Sequence, residues 1–353
     1  MPTKCPATWL TTAGSLALLL AGAATRAADL PLTAWEGQTM GSIYRVKIAG
    51  ASPAPARLAE LKTEVDQRLR EINRQMSHYD PGSELSQFNR APANRPFRIS
   101  PEFARVVRFS LELNRLSQGA FDPTLGPVIN LWGFGEQGSR REPPPPAELQ
   151  AALKKTGCAH LTVTARDELV KDIPELALNL SATAKGFGVD EIVRILRGHG
   201  VTNGYASIAG EVQVLGHNPR GTNWQIGISA PVEHWTEADA MIEVVSLSNQ
   251  AISTSGDYQK FFKDAQGRRW CHLIDPQTGW PVQHQVAGVS LVAPDSLTAD
   301  GLSTTLFVLG PERGLKFIES WTNAAALFLV REPDGRSRQI ASPRFARLAG
   351  IQP

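Results

Sequence analysis

Between residues 205 and 293 the chain reads mostly as short strands: YASIAGEVQVLG, WQIGIS, MIEVVSL, AISTS, WCHLID and AGVSLVA. Strands that follow one another without a helix between them cannot make the crossovers that a parallel sheet requires. The helical patterns gather on either side of this run. That order predicts an α+β fold of mixed antiparallel sheets with packed helices, and excludes a doubly wound sheet.

The flanks supply the helices. SIYRVKI (42–48) alternates as a half-buried strand, with Tyr44, Val46 and Ile48 on one face. Leu58, Leu61, Val65, Leu69, Ile72 and Met76 recur at three and four, the spacing of a long amphipathic helix. Ser100-Pro101 reads as a cap and first helical position, with Gly119 as the stop. GAFDPTLGPVINLWGFGEQG (119–138) has neither helical nor strand period. After the stiff PPPP connector come a short helix over 147–156 and strands near 160–164 and 176–181. KGFGVDEIVRILRGHG reads as a helix ending at Gly198 or Gly200. The tail predicts a helix from about 299, another near 312–320 and a strand AAALFLV. No strong boundary interrupts the chain, so residues 29–353 read as one domain.

Composition narrows the class. Hydrophobic content of 42% and charged content of 20% describe a globular chain rather than a disordered one. With 36 basic and 34 acidic residues the charge is nearly balanced, and no basic run interleaves with aromatics, which argues against nucleic acid as partner. The first residues read as an export signal: Lys4, the apolar segment LTTAGSLALLLAGAA, then small residues around Ala23 to Ala28. The apolar core of about 15 residues falls short of the roughly 20 that span a bilayer. A cleaved signal over 1–28 and a periplasmic location are therefore expected, with an uncleaved inner-membrane anchor as the alternative. No Cys follows LAGA, so no lipid anchor is expected. Cys158 and Cys271 remain after cleavage; they form no metal motif, and one disulfide between them is left open.

Several stretches carry chemistry-bearing residues. In TADGLSTTLFVLG (298–310), Asp300, Ser303 and Thr304 stand at i, i+3 and i+4 and share one helix face. Oxygen side chains on the first turns suit capping, and they equally suit a hard cation such as Mg²⁺. TSGDY (254–258) reads as a turn whose backbone N–H groups could hold phosphate. In WCHLIDPQTG (270–279) His272, Cys271 and Asp275 cluster at a strand end. NLSATAKGFGVD (179–190) places small residues and then Lys185 at a helix start, where the helix dipole disfavours a cation unless an anion is bound. Gly210, inside the strand pattern SIAGEVQVLG, reads as a bulge or a close approach to ligand. The Gly- and aromatic-rich loop after Gly119 suits a planar ligand.

These stretches occur in a recognisable order. MGSIYRV, MSHYDPGSELSQFN, GAFDPTLGPVINLWGFG, NLSATAKGFGVD, SIAGEVQVLG, AISTSGDYQKF, HLIDPQTGWPV and TADGLSTTLFVLG together resemble the ApbE family of FAD:protein FMN transferases, from residue 40 to about 310. The resemblance implies a T-fold-related single domain. It further implies an exported enzyme that takes FAD as substrate and Mg²⁺ as cofactor. Such an enzyme transfers FMN through a phosphoester bond to a Thr or Ser of an acceptor flavoprotein that carries a flavinylation motif. Hydrolysis of FAD to FMN and AMP, or non-catalytic flavin binding in assembly, are the alternatives.

By the same resemblance Met40, Tyr79, Ala120, Phe121, Asp122 and Ile274 are expected to line the flavin, and Asn179 and Lys185 to contact FAD. Thr254, Ser255 and Gly256 join this substrate-binding set through the phosphate-turn reading. The Ala182 carbonyl with Asp300, Ser303 and Thr304 would seat Mg²⁺, and His272 would serve catalysis with Asp300. Three positions depart from the family's common pattern: Asn179 stands for Asp, Ala209-Gly210 for Gly-Gly, and Cys271 for Ser.

Overall fold

The computed structural model describes residues 29–353 apart from 137, 139, 232–240, 259, 333–335 and 351–353, so the expected signal over 1–28 lies outside the described residues. Strands β1 (Leu32–Thr39) and β2 (Ser42–Ala49) form a hairpin, followed by helices α1 (Pro55–Met76) and α2 (Glu84–Arg90). Next come β3 (Phe97–Arg98), α3 (Pro101–Leu116), α4 (Gly126–Leu131), α5 (Pro146–Leu153), β4 (Leu161–Val163) and β5 (Glu168–Lys171). Helix α6 (Ala184–Gly198) leads into β6 (Gly204–Ile208), β7 (Glu211–Leu215), β8 (Trp224–Ser229), β9 (Met241–Leu247) and β10 (Ala251–Gly256). Then follow β11 (Phe261–Lys263), β12 (Arg269–Cys271) and β13 (Val286–Ala293). The chain closes with α7 (Ser296–Ile318), β14 (Ala325–Arg331), β15 (Ser337–Ala341) and α8 (Pro343–Ala349).

The main sheet runs β1-β2-β6-β7-β10-β13-β14-β15, and every neighbouring pair is antiparallel. The α+β reading therefore holds. Strand β13 shows how the sheet is covered. All eight of its residues are buried, so both faces are packed. Val289, Leu291 and Ala293 point toward α7, where Leu302, Leu306 and Phe307 meet them. Val292, on the alternate face, packs with Trp224, Val245 and Leu247 of the β8–β9 ribbon and Phe345 of α8. Period-two alternation thus feeds two separate cores from one strand. Among the described residues no helix is long and apolar enough to cross a membrane.

The structure departs from the sequence reading at several places. The segment before Ser42, to which the sequence pattern assigns no element, contains the strand β1. It is an edge strand in which three of the four inner positions, Thr33, Gly37 and Thr39, are small or polar and only Trp35 is a large apolar residue, which weakens its alternation. Residues 176–181 form no strand apart from a single bridge of Ala177 to Leu125, and the partner of β4 is Glu168–Lys171. The aperiodic loop after Gly119 contains the short helix α4. Ser100 stands at the N-cap of α3 without a side-chain capping bond. Ala209-Gly210 is the turn of the β6–β7 hairpin, with Ala209 at φ 51°, rather than the interior of a strand. Residues 254–256 are not a turn. They belong to β10 and pair with Ser290, Val289 and Gly288 on one side, while the pairing of β10 with β7 on the other side stops at Ile252.

Candidate active site

Two helices build the charged end of the site. The N-terminus of α7 is capped by Asp295, which accepts from Thr298 N at 2.8 Å, and by Asp190 of α6, which accepts from Ser296 N at 2.7 Å and Leu297 N at 3.0 Å. Asp300 is therefore not needed as a cap. It lies a full turn further in and reaches back to α6, where its Oδ2 accepts from Gly186 N at 3.0 Å. Each helix thus has first-turn N–H groups satisfied by a carboxylate of the other. This reciprocity demands close approach. A Cβ on Gly186 would sit 2.3 Å from the Ser296 carbonyl oxygen and 2.8 Å from Asp300 Cβ.

The same arrangement frees a carbonyl. In a continuing helix Gly186 N–H would bond the Ala182 carbonyl; here it goes to Asp300, and Ala182 O accepts no backbone bond from the described residues. Thr304 presents its hydroxyl one turn beyond Asp300, 3.1 Å from Ser255 Oγ. Carboxylate, carbonyl and hydroxyl oxygens with no sulfur suit a hard, oxygen-loving cation. Among the described residues no cluster of three or more His, Cys, Asp or Glu suits a metal, and Asp300 is the one carboxylate among these three oxygen donors. Burial pushes the Asp300 carboxyl up to about 7; the charge of Lys185 opposes that shift and Glu211 adds to it.

A cavity of about 970 Å³ opens from this seat, at the upper end of small-molecule sites. It brings together Met40, Ala120, Phe121, Asp122, Asn179, Ala182, Lys185, Thr254, Ser255, Gly256, His272, Ile274, Asp300 and Thr304. Two expected residues do not line it. Ser303 is fully buried behind the seat, with its hydroxyl bonded to the Asp300 carbonyl at 2.9 Å and to Ser255 Oγ at 2.8 Å. Tyr79 is 59% exposed outside the cavity, stacks on His78 and accepts from Lys260 Nζ at 3.4 Å.

Opposite the charged end the wall is apolar. Phe121, Leu125, Ile129, Phe134 and Ile274 line it, backed by the buried Trp132, whose ring lies 5.3 Å from Trp270 and 5.2 Å from Trp280. The loops are pinned individually. Asn114 Nδ2 donates to the Phe121 carbonyl at 2.7 Å, and Trp132 Nε1 donates to the Gly279 carbonyl at 2.8 Å. Asp122 accepts from Thr124 N at 2.7 Å, from its hydroxyl at 2.6 Å and from Cys158 Sγ at 3.3 Å. Asn179 Oδ1 accepts from Ser181 N at 3.0 Å, shaping the loop toward Ala182.

Of the cluster Cys271, His272 and Asp275, only His272 reaches the cavity. Cys271 is buried and turned to the Leu273 carbonyl, and Asp275 holds the following turn through Gln277 N. Cys158 and Cys271 are both free thiols. His272 is oriented by Lys260, whose carbonyl oxygen lies 3.1 Å from Nδ1. A carbonyl only accepts, so Nδ1 carries the proton and Nε2 keeps its lone pair. Burial holds the imidazole pKa down at about 4, which leaves the ring neutral at pH 7.

Sequence reasoning missed Glu211 and Lys260, both of which line the cavity. Glu211 is 3% exposed and pairs with Lys185. Glu211 and Gln213 alternate with Val212 and Val214 as a solvent-facing edge would, yet all of β7 is buried. The available signal was a carboxylate directly after a small-residue turn, within reach of the unexplained Lys185.

Residues 40–328 match the ApbE family. The FAD:protein FMN transferase of Vibrio cholerae is 40% identical over 337 residues, covering 96% of this chain and 97% of its own. That of Haemophilus influenzae is 38% identical over 316 residues, covering 88% and 90%. Among solved structures, the flavin transferase ApbE from Vibrio cholerae superposes with a TM-score of 0.81 at 38% identity, over 90% of this chain and 99% of that one. The apo flavinyl transferase ApbE of Pseudomonas stutzeri gives a TM-score of 0.82 at 37% identity, over 92% and 99%.

Proposed function

Because the chain belongs to the ApbE family, we propose that it is an Mg²⁺-dependent FAD:protein FMN transferase that acts on a Ser or Thr of an exported flavoprotein. The observation that carries this reading is the two-ended cavity. An apolar, aromatic-backed wall suited to a planar ring faces a charged end with Lys185 and a seat of hard oxygen donors. FAD has that polarity, with an isoalloxazine at one end and a pyrophosphate further along.

Ala182, Asp300 and Thr304 would hold Mg²⁺, which would supply charge neutralisation on the phosphate oxygens. The chain's own groups do the rest. Lys185 directs an ammonium at the pyrophosphate. His272 Nε2 accepts the proton of the acceptor hydroxyl. The hydroxyl oxygen forms a bond to the FMN phosphorus, the bond from that phosphorus to the bridging oxygen breaks, and AMP leaves with the electron pair. FAD and protein hydroxyl thereby become protein-bound FMN, AMP and a proton.

The signal-like residues 1–28 support a periplasmic site of action; cell fractionation that finds the full-length chain only in the cytoplasm would contradict it. For the activity, the purified protein is incubated with FAD, Mg²⁺ and a candidate flavoprotein, and the acceptor is run on a denaturing gel. A fluorescent acceptor band is expected. Free FMN and AMP without that band would replace transfer by hydrolysis, and unchanged FAD would leave only binding.

A further inference from the structure

Lys185 has two carboxylates to choose from and takes one. Its ammonium is paired with Glu211, while the charge of Asp300 is close enough to raise its pKa further without an ion pair between the two among the described residues. Glu211 is held in place by the tight β6–β7 turn, whose closing pair is Ile208 with Glu211. Its Oε1 meets Lys185; its Oε2 is buried and has no hydrogen-bond partner. A buried carboxylate left half-satisfied costs stability, and nothing in the packing of β7 requires an acid there, since Val212 and Val214 fill the neighbouring core.

We infer that Glu211 is a positioning residue: it draws the Lys185 ammonium away from Asp300 and so keeps the cation seat open. This rests on the reading of Asp300 as the seat. The lysine stem is flexible and its ammonium is a compact point charge. Without Glu211, the nearest anion to a half-buried Lys185 is Asp300, whose second oxygen accepts no bond from the described side chains or backbone. The ammonium would then close onto the carboxylate that the metal needs. Removing a negative charge in this way weakens cation binding through competition, and removing the lysine as well lifts the competition. A residue with only a structural role predicts no such rescue.

The test uses Mn²⁺ as probe, titrated without FAD into the full chain and followed by the loss of the free-ion EPR signal. Wild type, Asp300→Asn, Glu211→Gln, Lys185→Gln and the Glu211→Gln/Lys185→Gln pair are compared, with thermal unfolding recorded for each. Glu211→Gln is expected to weaken Mn²⁺ about tenfold or more, and the double variant to return to within about threefold of wild type. Glu211→Gln binding as wild type does, or a double variant as weak as Glu211→Gln alone, would overturn the role of Glu211 while leaving the seat in place. Wild type and Asp300→Asn binding alike would overturn the seat, and this inference with it.

Discussion

The two ends of the cavity are built differently. The charged end is made by regular elements: the first turns of α6 and α7, with β7 and β10 beside them. Its groups are fixed by a reciprocal hydrogen-bond exchange between two helix starts. The apolar end is made mostly by the loops after α3 and β12, with the short helix α4 contributing Ile129, and is stiffened by a cluster of tryptophans and by side-chain bonds to carbonyls. Charges that must hold their positions through a reaction sit on rigid elements. Surfaces that need only match a flat ring can be assembled from loops over a packed aromatic floor.

Substitutions should separate the ends by what they change. Asp300→Ala removes the one carboxylate of the seat, and AMP release should fall by about a thousandfold or more. The variant should still melt cooperatively, because losing the buried Gly186 bond costs only about 1 to 3 kcal/mol and the desolvated carboxyl disappears with it. His272→Ala should slow transfer by about 10² to 10⁴ while FAD binding, read by flavin fluorescence, stays within a few fold. Full activity at neutral pH in that variant would remove His272 from the mechanism.

Acidity should act at the charged end first. With its pKa near 7, Asp300 takes up a proton below that pH, and metal affinity should fall about tenfold per unit. The acid limb of the rate profile should therefore lie near pH 7 and move lower as Mg²⁺ is raised. His272 is held near 4 and should add no limb above about pH 5. The sign for stability runs the opposite way. A carboxyl whose folded pKa exceeds its unfolded value binds more protons when folded. Asp300 and Asp190, both raised to about 7 by burial, should make the metal-free protein less stable as pH rises from about 4 to 7. Thermal melts at pH 5 and 8 check this.

Packing changes come next. Gly186→Ala should force α6 away from α7 and cost about 1 to 3 kcal/mol, with activity falling further than stability because Asp300 moves. Trp132→Phe, at the other end, loses the bond to Gly279 and some ring volume. It should lower stability by a comparable amount, about 1 to 3 kcal/mol, and raise the KM for FAD a few fold with kcat nearly kept. Steady-state kinetics and urea unfolding read both. If Trp132→Phe instead lowered kcat as much as Gly186→Ala did, the division between the ends would fail.

Much of this was legible in the sequence. The adjacent strands fixed the fold class because period two and turn residues are local signals. The oxygen-bearing triplet of α7, Asp300, Ser303 and Thr304, was legible as a helix face, but helical spacing does not say how wide an arc faces the ligand. Asp300 and Thr304 reach the cavity and Ser303, on the same turn, points into the core. Tyr79 was placed by analogy at the flavin and stands outside the cavity, held by Lys260. The edge strand β1 was hidden because Thr33, Gly37 and Thr39 leave Trp35 as the one large apolar residue on its inner face. Glu211 was hidden for a tertiary reason: it is buried against the start of α6, where Lys185 lies 26 residues away in sequence, and a period-two pattern cannot tell a solvent face from one covered by a helix.

In the proposed reaction one cavity joins FAD cleavage to phosphoester formation on a protein. A time course with FAD and an acceptor flavoprotein, quantifying AMP by chromatography and attached FMN by intact mass, tests it directly. The prediction is one AMP for each FMN gained by the acceptor, with both products absent under EDTA and restored by Mg²⁺. AMP released at the same rate without any mass gained by the acceptor, or attachment that proceeds undiminished under EDTA, would contradict it.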